Sequence, residues 1–436
     1  MNIDRRTFLA FSGMAGLGLG LAACGVSQPG TSGAGGGGEV SLRYGWWGNT
    51  IRQRAYETAF ETFIADHPNV TVQPEFAEYA AFQERMTTQI AGKTVPDIFW
   101  IASAQVMSYY KAGIYHDDLD KIDTLDLSNF TPEQIELFKI DGKLNTLPLA
   151  VTAPVVRFNE TFLAEAGAAL PEEGSTGWSW NGLAEFLIDY TKDAPEGRVG
   201  IAHNAQQDLT FESWLRQHGQ QLWDEDGNVG FDVDGLGGWL DWWEKLRKAG
   251  ATLSLSEQEG PGMEWSLAGD KTLMTFGNAN HIADHAKMFP DYSFELRGMP
   301  MLPDAAAGHT FGFMNRLAIY SGIDPTRLAD AGRFLSFNLN HEAMLTPTLS
   351  LGAPVSGKQL EAAFGVASAD EQKMLRIVQH NNAQESKPRY EAPAGTGTWR
   401  NIMTRTIEEI VLGGMPVMEA SQRMIDEVQR EIDQVS

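Results

Sequence analysis

The sequence predicts an α/β fold with a parallel sheet, in a chain long enough for two lobes. Strand patterns at residues 40–44, 70–74 and 97–101 alternate with amphipathic helix patterns at 51–66 and 79–91. This β-α-β-α-β order predicts parallel strands joined by right-handed crossovers. About 410 of the 436 residues follow the N-terminal segment, which is long for one core and comfortable for two lobes.

The ends of the predicted strands indicate where a ligand would bind. In parallel α/β sheets, ligands bind beyond the carboxyl ends of the strands. The first strand runs into Gly-Trp-Trp-Gly-Asn at 45–49, and the third runs into residues 102–105. These two segments are therefore expected at one binding edge.

The middle of the chain predicts a crossing between lobes. Residues 142–158 contain strand segments interrupted by Pro148 and Pro154, and proline is unsuited to the interior of a continuous central strand. The remaining patterns predict a turn at 224–228, strands at 271–276 and 311–320, and helices at 180–190, 211–217, 236–249, 263–267, 325–338, 369–384, 398–413 and 416–435. One of these helices contains three residues expected to pack inside a lobe: Trp239, Trp242 and Trp243.

Composition excludes several classes of function. The net charge of −24 argues against a nucleic-acid partner, because phosphate contacts need a basic surface. A single cysteine rules out a disulfide within the chain and a zinc site built from several cysteines. No cofactor is predicted.

The N-terminus has the pattern of an export signal. Arg5 and Arg6 precede an uncharged apolar run of about 16 residues, short of the roughly 20 that a membrane-spanning helix needs. The arginine pair and the Thr-Phe-Leu after it partly resemble a twin-arginine signal, so that route and the general secretory route both stay open. Leu-Ala-Ala-Cys at 21–24 resembles a bacterial lipobox, which implies removal of residues 1–23 and lipidation of Cys24.

Residues 24–38 are predicted to be a lipid-anchored tether. Several acyl chains on Cys24 would give stable anchoring, which one chain does not. The small, polar residues 25–38 are unsuited to packing, and random-coil scaling gives them a reach of roughly 20 Å. The expected location is the outer face of the cytoplasmic membrane, extracellular or periplasmic.

Two local patterns do not form the sites that they partly match. Ala-Gly-Lys-Thr at 91–94 lacks the glycine that a phosphate-binding loop needs at position 87. Asp-Glu-Asp-Gly-Asn at 224–228 lacks the glycine and glutamate that a calcium loop needs at 229 and 235. A hairpin turn is the better interpretation there, and no metal site is predicted.

In its order of short segments the chain resembles the sugar-type extracellular solute-binding proteins of bacterial ABC importers, the maltose-binding-protein-like family 1. The resemblance extends from about residue 40 to 435. The segments that carry it are Gly-Trp-Trp-Gly at 45–48, residues 87–98, Lys-Ala-Gly-Ile at 111–114, Asp-Gly-Lys-Leu at 141–144, Leu-Pro at 147–148, Phe-Asn-Glu at 158–160, Gly-Trp-Ser-Trp at 177–180 and Gly-Gly at 413–414.

That resemblance implies a two-lobe periplasmic-binding-protein-like fold (type II) with a multi-strand hinge. Lobe 1 would comprise residues 39–150 and about 310–366, and lobe 2 residues 151–309 and about 367–436. A sugar would bind between the lobes, which close around it. The closed monomer would deliver the sugar to the membrane subunits of an ABC permease without altering it chemically.

The family pattern, carried over position by position, gives candidate sugar contacts. Sugar hydroxyls need polar partners, and the flat C–H faces of a sugar need aromatic rings. The chain departs from the pattern at Asn280, where an aromatic residue is common, and at Ala104, where an acidic residue is common. The candidates are Trp47, Asn49, Tyr79, Gln83, Ser103, Gln105, Thr152, Phe211, Glu212, Trp214, Asn278, Asn280, His281, Phe313, Asn315, Trp399 and Arg400.

Some of these candidates have a structural alternative. We expect one of Trp46 and Trp47 to lie in the core and Trp47 to face the cleft. Trp399, after a Gly-Thr-Gly-Thr loop, is expected to stack on the sugar. Packing or pairing inside the protein is the alternative for Trp214, His281 and Arg400.

Two other classes of function remain open at the level of sequence. A secreted carbohydrate hydrolase would also be rich in tryptophan and acidic residues, and it needs two carboxylates flanking the scissile bond. No local motif marks such a pair. A surface scaffold or adhesin without a small ligand is the third class.

Overall fold

The computed structural model describes residues 39–258 and 270–435. The predicted signal, lipobox and tether at 1–38 and the predicted helix at 263–267 lie outside these ranges. Within them the chain forms an α/β fold built on two separate main sheets. Among the described helices, none combines the length and the apolar character needed to cross a bilayer.

The strands divide between a five-stranded sheet, a four-stranded sheet and a short hairpin. The five-stranded sheet has the order β2-β1-β3-β11-β6, the four-stranded sheet has the order β10-β7-β9-β8, and β4 pairs with β5. The strands are β1 Val40–Trp47, β2 Val70–Ala77, β3 Ile98–Ile101, β4 Lys139–Ile140, β5 Lys143–Leu144, β6 Leu147–Thr152, β7 Pro154–Asn159, β8 Val199–Ile201, β9 Thr272–Asn278, β10 Phe294–Arg297 and β11 Phe313–Ile319.

Helices cover both sheets. They are α1 Thr50–Asp66, α2 Tyr79–Gly92, α3 Val106–Lys111, α4 Pro132–Glu136, α5 Glu160–Ala166, α6 Trp180–Asp193, α7 Asp208–Gln217, α8 Val233–Lys248, α9 Ile282–Met288, α10 Leu328–Asn340, α11 Leu345–Leu349, α12 Gly357–Val366, α13 Ala369–Asn382, α14 Trp399–Val411 and α15 Val417–Asp433.

The predicted parallel β-α-β-α-β unit is confirmed. β1 pairs in parallel with β2 and β3. The five-stranded sheet is mixed, however, because β11 lies between β3 and β6 and runs antiparallel to both. β1 is also longer than predicted: its ladder to β2 continues as far as Trp47, opposite Ala77. Residues 45–47, expected in a loop, therefore belong to the strand, and the loop begins at Gly48.

Each main sheet has its own buried core. Around the first sheet, Tyr44 on β1 and Trp100 on β3 are fully buried among the aromatic side chains of α1 and α10. Around the second sheet, the predicted packing of the tryptophans of α8 is confirmed. Trp239, Trp242 and Trp243 are buried and contact one another at ring-centroid distances of 5.0 to 6.2 Å.

The chain passes from the first sheet to the second at Ala153. Thr152 ends β6 in the first sheet, and Pro154 begins β7 in the second. The predicted crossing is therefore confirmed at Pro154, whereas the predicted interruption at Pro148 is wrong, because Pro148 lies within β6 opposite Arg316 of β11. Val151 also forms an antiparallel bridge with Ala353, so a segment that follows α11 lies against the crossing.

Buried arginines fix the other segments that pass between the sheets. Glu212 on α7 accepts three hydrogen bonds from Arg389: Nε donates to Oε1 at 2.8 Å and to Oε2 at 3.0 Å, and Nη2 donates to Oε2 at 2.9 Å. Two residues later, Glu391 pairs with Arg316 of β11. The guanidinium of Arg216 donates to four carbonyl oxygens on two adjacent segments, those of Gly308, His309, Lys387 and Pro388. The segment around residue 390 is thereby attached to both sheets.

Replacing Glu212 by Gln removes the charge that neutralises Arg389. Glu212 is 2% exposed, so we expect the free energy of unfolding of the ligand-free protein to fall by about 2–3 kcal/mol. Chemical denaturation measures this change. Asp208→Asn is the control, because its partner Arg400 is more exposed and the loss should stay below about 1 kcal/mol. Equal stability of Glu212→Gln and the parent protein would contradict the structural role.

Replacing Tyr44 by Phe tests the core of the first sheet. The Tyr44 hydroxyl accepts from Trp100 Nε1 at 2.6 Å and donates to Asn338 Oδ1 at 3.2 Å. Its loss leaves a buried indole N–H unpaired, which should destabilise the protein by about 1–3 kcal/mol. Tyr110→Phe is the matched control, since that hydroxyl binds Asp141 at the surface. A denaturation midpoint lowered equally by both changes would refute the prediction.

Candidate functional site

The first sheet presents one wall of the candidate site. The loop after β1 begins at Gly48, and the turn Ser103–Gln105 follows β3. β11 runs antiparallel to β3, with Arg316 opposite Ile101, so Phe313 and Asn315 extend past the carboxyl end of β3. A register shift between Asn315 and Arg316 marks a β-bulge there. The segments after β1 and β3 therefore lie along one edge, as predicted, and the start of β11 lies beside them, which was not predicted.

The second sheet presents the opposite wall. β8 and β9 run parallel, so their carboxyl ends meet at one edge. Asn278 ends β9 and is followed by Asn280 and His281, while His203 and Asn204 follow β8. The residues after β8 were not among the sequence candidates. β8 has three residues, which is too short for the alternation of apolar and polar residues that identifies a strand in the sequence.

The two walls meet at the crossing between the sheets. Thr152 Oγ1 donates to Asn280 Oδ1 at 3.2 Å, and Asn280 Nδ2 donates to the Ser350 carbonyl at 3.1 Å. Arg52 Nη2 donates to the same carbonyl at 2.7 Å. Side chains from both halves therefore converge on one oxygen at the floor of the site.

Arg52 lies at this junction between the two halves and was not among the sequence candidates. It is 8% exposed, and its stem lies against Gly48, where a Cβ would be 2.6 Å from Arg52 Cδ. The glycine of the Gly-Asn pair after Trp47 thus makes room for the arginine, while Asn49 caps α1 by accepting from the Arg52 backbone N–H at 2.9 Å. The position of an arginine in the first turn of an amphipathic helix does not indicate from sequence that its side chain will bind a distant carbonyl oxygen, as Arg52 binds that of Ser350.

The rim of the site is bridged on two sides. Asn49 Nδ2 donates to Asp284 Oδ2 of α9 at 3.3 Å. On the other side, the turn Ser103–Gln105 packs against the turn Thr396–Thr398, and Lys111 Nζ donates to the Val435 carbonyl at 3.1 Å. The structure therefore has its two walls in contact, which is a closed arrangement.

The aromatic candidates of the first wall form a connected group. Trp47 is 6% exposed, and its ring contacts Tyr79, Phe82 and Trp100 at centroid distances of 5.7, 5.5 and 5.1 Å. Tyr79 is 40% exposed and covers one side of Trp47. Trp46 is fully buried. Tyr79 is therefore the most exposed aromatic side chain of this group.

The aromatic candidates of the second half pack inside its core. Phe211 is fully buried and stacks on Trp399 at 6.0 Å with an interplanar angle of 11°. The Trp399 ring is also met edge-on by Trp223 and Phe231. Trp214 donates from Nε1 to the Gly235 carbonyl at 3.0 Å. In the closed arrangement these rings, together with the Arg389-bound Glu212, support the wall from behind.

The polar candidates include one ion pair and two neutral imidazoles. Arg400 Nη2 lies 3.1 Å from Asp208 Oδ1 in an ion pair. Asp208 was not among the sequence candidates because α7 begins at this residue, three residues before the predicted start at 211. Burial, reinforced by Arg52, Arg400 and other guanidinium groups, holds the pKa of His281 well below its ordinary value. Burial lowers the pKa of His203 to about 4. Both rings are uncharged at neutral pH, so they offer hydrogen bonds without charge.

The remaining polar candidates lie on the first wall. Gln83 Oε1 accepts from the Tyr109 hydroxyl at 3.0 Å, which fixes the amide beside Tyr79.

Over residues 39–258 and 270–435, no group of three or more His, Cys, Asp or Glu side chains is arranged to hold a metal ion. The predicted hairpin turn at 224–228 is confirmed, since Asp224 Oδ1 accepts from the backbone N–H groups of Asp226 and Asn228.

Comparison with known proteins identifies a family that matches most of the chain. Bacterial extracellular solute-binding proteins match residues 58–352. A relative from Brucella abortus, named only as a binding protein, is 22% identical over 189 residues, which cover 41% of this chain and 43% of the relative's length. The chain thus matches less than half of that relative.

Solved structures extend the likeness to nearly the whole chain. A periplasmic oligogalacturonide-binding protein from Yersinia enterocolitica, solved with saturated digalacturonic acid, has a TM-score of 0.78 at 22% identity, covering 91% of this chain and 100% of that chain. The GacH receptor of Streptomyces glaucescens, solved without ligand and with acarbose, has a TM-score of 0.74 at 17% identity, covering 91% and 99%. These likenesses show the shared two-lobe fold. The family match at residues 58–352 covers more than half of this chain. The chain therefore belongs to the bacterial extracellular solute-binding proteins.

Proposed function

We propose that the chain captures a carbohydrate in the cleft between its two sheets and delivers it to an ABC permease. The observation that carries the proposal is the meeting of two walls, lined by uncharged polar side chains and a paired Asp208–Arg400, at the carboxyl ends of the strands, bridged at Thr152, Asn280 and Ser350. Sugar hydroxyls require such fixed donors and acceptors, and an unmatched polar group costs roughly 1–3 kcal/mol. The carbohydrates bound by the Yersinia and Streptomyces proteins support this class of ligand.

The proposed contacts are the candidates that face the cleft. Tyr79 and the edge of Trp47 would contact a C–H face of the sugar. Neutral amides and imidazoles would select hydroxyl positions, and the Asp208–Arg400 pair would offer an acceptor and a donor side by side. The full proposed set is Trp47, Asn49, Tyr79, Gln83, Ser103, Gln105, Thr152, His203, Asn204, Asp208, Asn278, Asn280, His281, Phe313, Asn315 and Arg400.

The proposal describes binding without catalysis. Glycoside hydrolysis needs two carboxylates flanking the bond, one of them as an acid. Among the described residues of the cleft, Asp208 pairs with Arg400 and Asp284 accepts from Asn49, and no pair of carboxylates is seen to flank a common position. Membership in a family of binding proteins favours the same reading. We therefore expect the ligand to leave unchanged.

The two sheets support the lobes proposed from sequence. β1, β2, β3, β6 and β11 would belong to lobe 1, at residues 39–150 and about 310–366, and β7 to β10 to lobe 2, at 151–309 and about 367–436. The crossing at Thr152–Pro154 would be one strand of the hinge. The monomer would be held at the outer face of the cytoplasmic membrane by lipid on Cys24 and the tether at 25–38.

A thermal-shift screen followed by calorimetry tests the proposed ligand class. Saturated digalacturonic acid, acarbose and a panel of neutral mono- and oligosaccharides serve as probes. A ligand that binds only the native state raises the melting temperature.

Asn315→Ala, at the bulge of β11, should weaken binding roughly 5- to 30-fold, equivalent to about 1–2 kcal/mol.

Asn181→Ala, an exposed change on α6, is the control and should leave affinity unchanged. Chromatography of the recovered ligand checks that it is intact. Failure of every saccharide to bind would refute the carbohydrate proposal, and turnover of any of them would refute binding without catalysis.

Replacing Cys24 by Ala tests the membrane anchor. Without the thiol no lipid is attached, so the protein should move from the membrane fraction to the soluble exported fraction. Ser27→Ala, three residues into the tether, should stay in the membrane fraction. Retention of the Cys24→Ala protein with membranes would contradict lipid anchoring.

A further inference from the structure

The chain returns from the second sheet to the first through residues 298–312, which lead from β10 to β11. Residues 383–395 lie beside this connection, since the Lys387 backbone N–H donates to the Gly308 carbonyl at 3.0 Å. Gly308 has a φ of 73°, and a Cβ there would be 2.9 Å from the Lys387 backbone nitrogen. A glycine at this position therefore lets the two segments approach closely.

Arg216 on α7 binds both segments at once. Its Nη2 donates to the carbonyl oxygens of Gly308 and Lys387 at 3.1 and 2.8 Å. Its Nε donates to the His309 carbonyl and its Nη1 to the Pro388 carbonyl, both at 3.2 Å. A planar guanidinium presents five N–H donors in a fixed arrangement, which a lysine ammonium does not. One buried arginine of the second half thus holds positions on both segments.

Phe311 extends this attachment further along the connection. The guanidinium carbons of Arg216 and Arg389 lie 5.3 and 5.6 Å from the centroid of its buried ring, within the range of cation–π attraction. Arg389 is held in turn by Glu212, which lies four residues before Arg216 and so on the same face of α7. Asn381 Nδ2 also donates to the Phe311 carbonyl at 3.4 Å. The connection is therefore fixed to the second half as far as Phe311.

The first half begins again at Phe313. From this residue onwards β11 is paired with β6, and Phe313 lies opposite Thr152. Gly312 thus stands between Phe311, which the second half holds, and Phe313, which the first half holds. On the neighbouring connection, Ala153 stands in the same way between β6 of the first sheet and β7 of the second. Each of these two connections therefore has one residue between its fixed parts.

Gly312 and Ala153 are also neighbours in space. A Cβ at Gly312 would be 3.0 Å from Val151 Cγ2 and 3.3 Å from the Thr152 carbonyl oxygen, so Gly312 packs against the residues that precede Ala153. Glycine has the widest choice of backbone angles, and hinges consist of a few residues that absorb large changes of φ and ψ. Two such residues side by side define one axis of rotation.

We propose that Arg216, together with Arg389 and Phe311, clamps the connection into β11 to the second half, so that rotation between the halves on these two connections is confined to Gly312 and Ala153. The inference rests on the hinge motion of the proposed function, not on the identity of the ligand. Arg216 acts as a positioning residue, because it fixes the point at which bending begins and is separate from the proposed ligand contacts.

Confinement of the hinge matters for the site because the bending points adjoin it. Thr152 and Phe313, which lie opposite each other on the first sheet, are among the proposed ligand contacts. With the clamp in place, bending stops short of both residues, and they keep their positions on the first wall while the halves move. Without it, the connection could bend anywhere between residues 305 and 312.

Distance measurements on the ligand-free full chain test the proposal. Because Cys24 is the single cysteine, a Cys24→Ala background accepts two spin labels, at Thr62→Cys on α1 and Lys245→Cys on α8, both exposed. Pulsed electron resonance then gives the distribution of distances between the two halves. The first variant is Arg216→Lys, which keeps the charge and loses the planar set of donors.

The matched control is Arg85→Lys. Arg85 also donates from its guanidinium to two backbone carbonyl oxygens, those of Glu75 and Phe76, but both lie within the first half. The control therefore makes the same chemical change without touching a connection between the halves. Phe311→Leu is the second variant, because it removes the ring next to both guanidinium groups and keeps an apolar side chain.

We expect Arg216→Lys to broaden the distribution of distances between the halves, while Arg85→Lys keeps the width of the parent protein. Phe311→Leu should broaden it as well and decides the question if Arg216→Lys folds poorly. An unchanged width in the variant that folds would overturn the proposal. Equal broadening in Arg85→Lys would overturn it too, since the effect would then be a general loosening of the protein. Because no ligand is added, neither result depends on whether the protein binds carbohydrate.

Discussion

The passage of the chain between the two sheets is the constraint on which the site depends. β6 and β7 are almost one strand, separated by Ala153, yet they belong to different sheets. The carboxyl edge of the first sheet is therefore brought against the carboxyl edge of the second, and Thr152 can reach Asn280. Attachment of the segment around residue 390 to both sheets, through Glu212 and Arg316, gives that junction a second fixed connection, without regular secondary structure.

The chemistry of the walls fits this geometry. At a junction between two buried sheets, charges are costly unless they are paired, and the cleft carries its charges in that form. Arg400 meets Asp208, Arg52 is held by carbonyl and hydroxyl oxygens, and the imidazoles are neutral. Amides and hydroxyls are left to define hydrogen-bond positions. Asp284 differs, because it accepts a hydrogen bond from the neutral amide of Asn49.

Local sequence predicted the elements, the crossing and the edge of each sheet. Alternation and helical spacing are properties of neighbouring residues, so β1, β2, α1 and α2 could be recognised directly. Insertion of β11 between β3 and β6 could not, because it depends on pairing between distant segments. Short elements such as β8 and α9 carry too few residues for a periodic signal.

The same limit applies to single residues of the site. An aromatic residue on a helix face predicts packing and ligand contact equally, and tertiary structure placed Phe211 and Trp399 within the core. Resemblance to the family supplied the candidates at strand ends. It did not supply Arg52, Asp208 or Asp284, whose roles arise from partners distant in sequence.

The central position of β11 has a consequence for the order in which the molecule assembles. All strands of the second sheet, β7 to β10, are synthesised before β11. The second half therefore has its complete set of strands while the first still lacks the one that joins β3 to β6. The first half must close a loop containing most of its partner, and such distant pairings form slowly. The second half in turn waits for α14 and α15, which supply part of its core and follow β11 in the chain. During biogenesis, neither half is therefore a finished domain until the C-terminal part of the chain has been made.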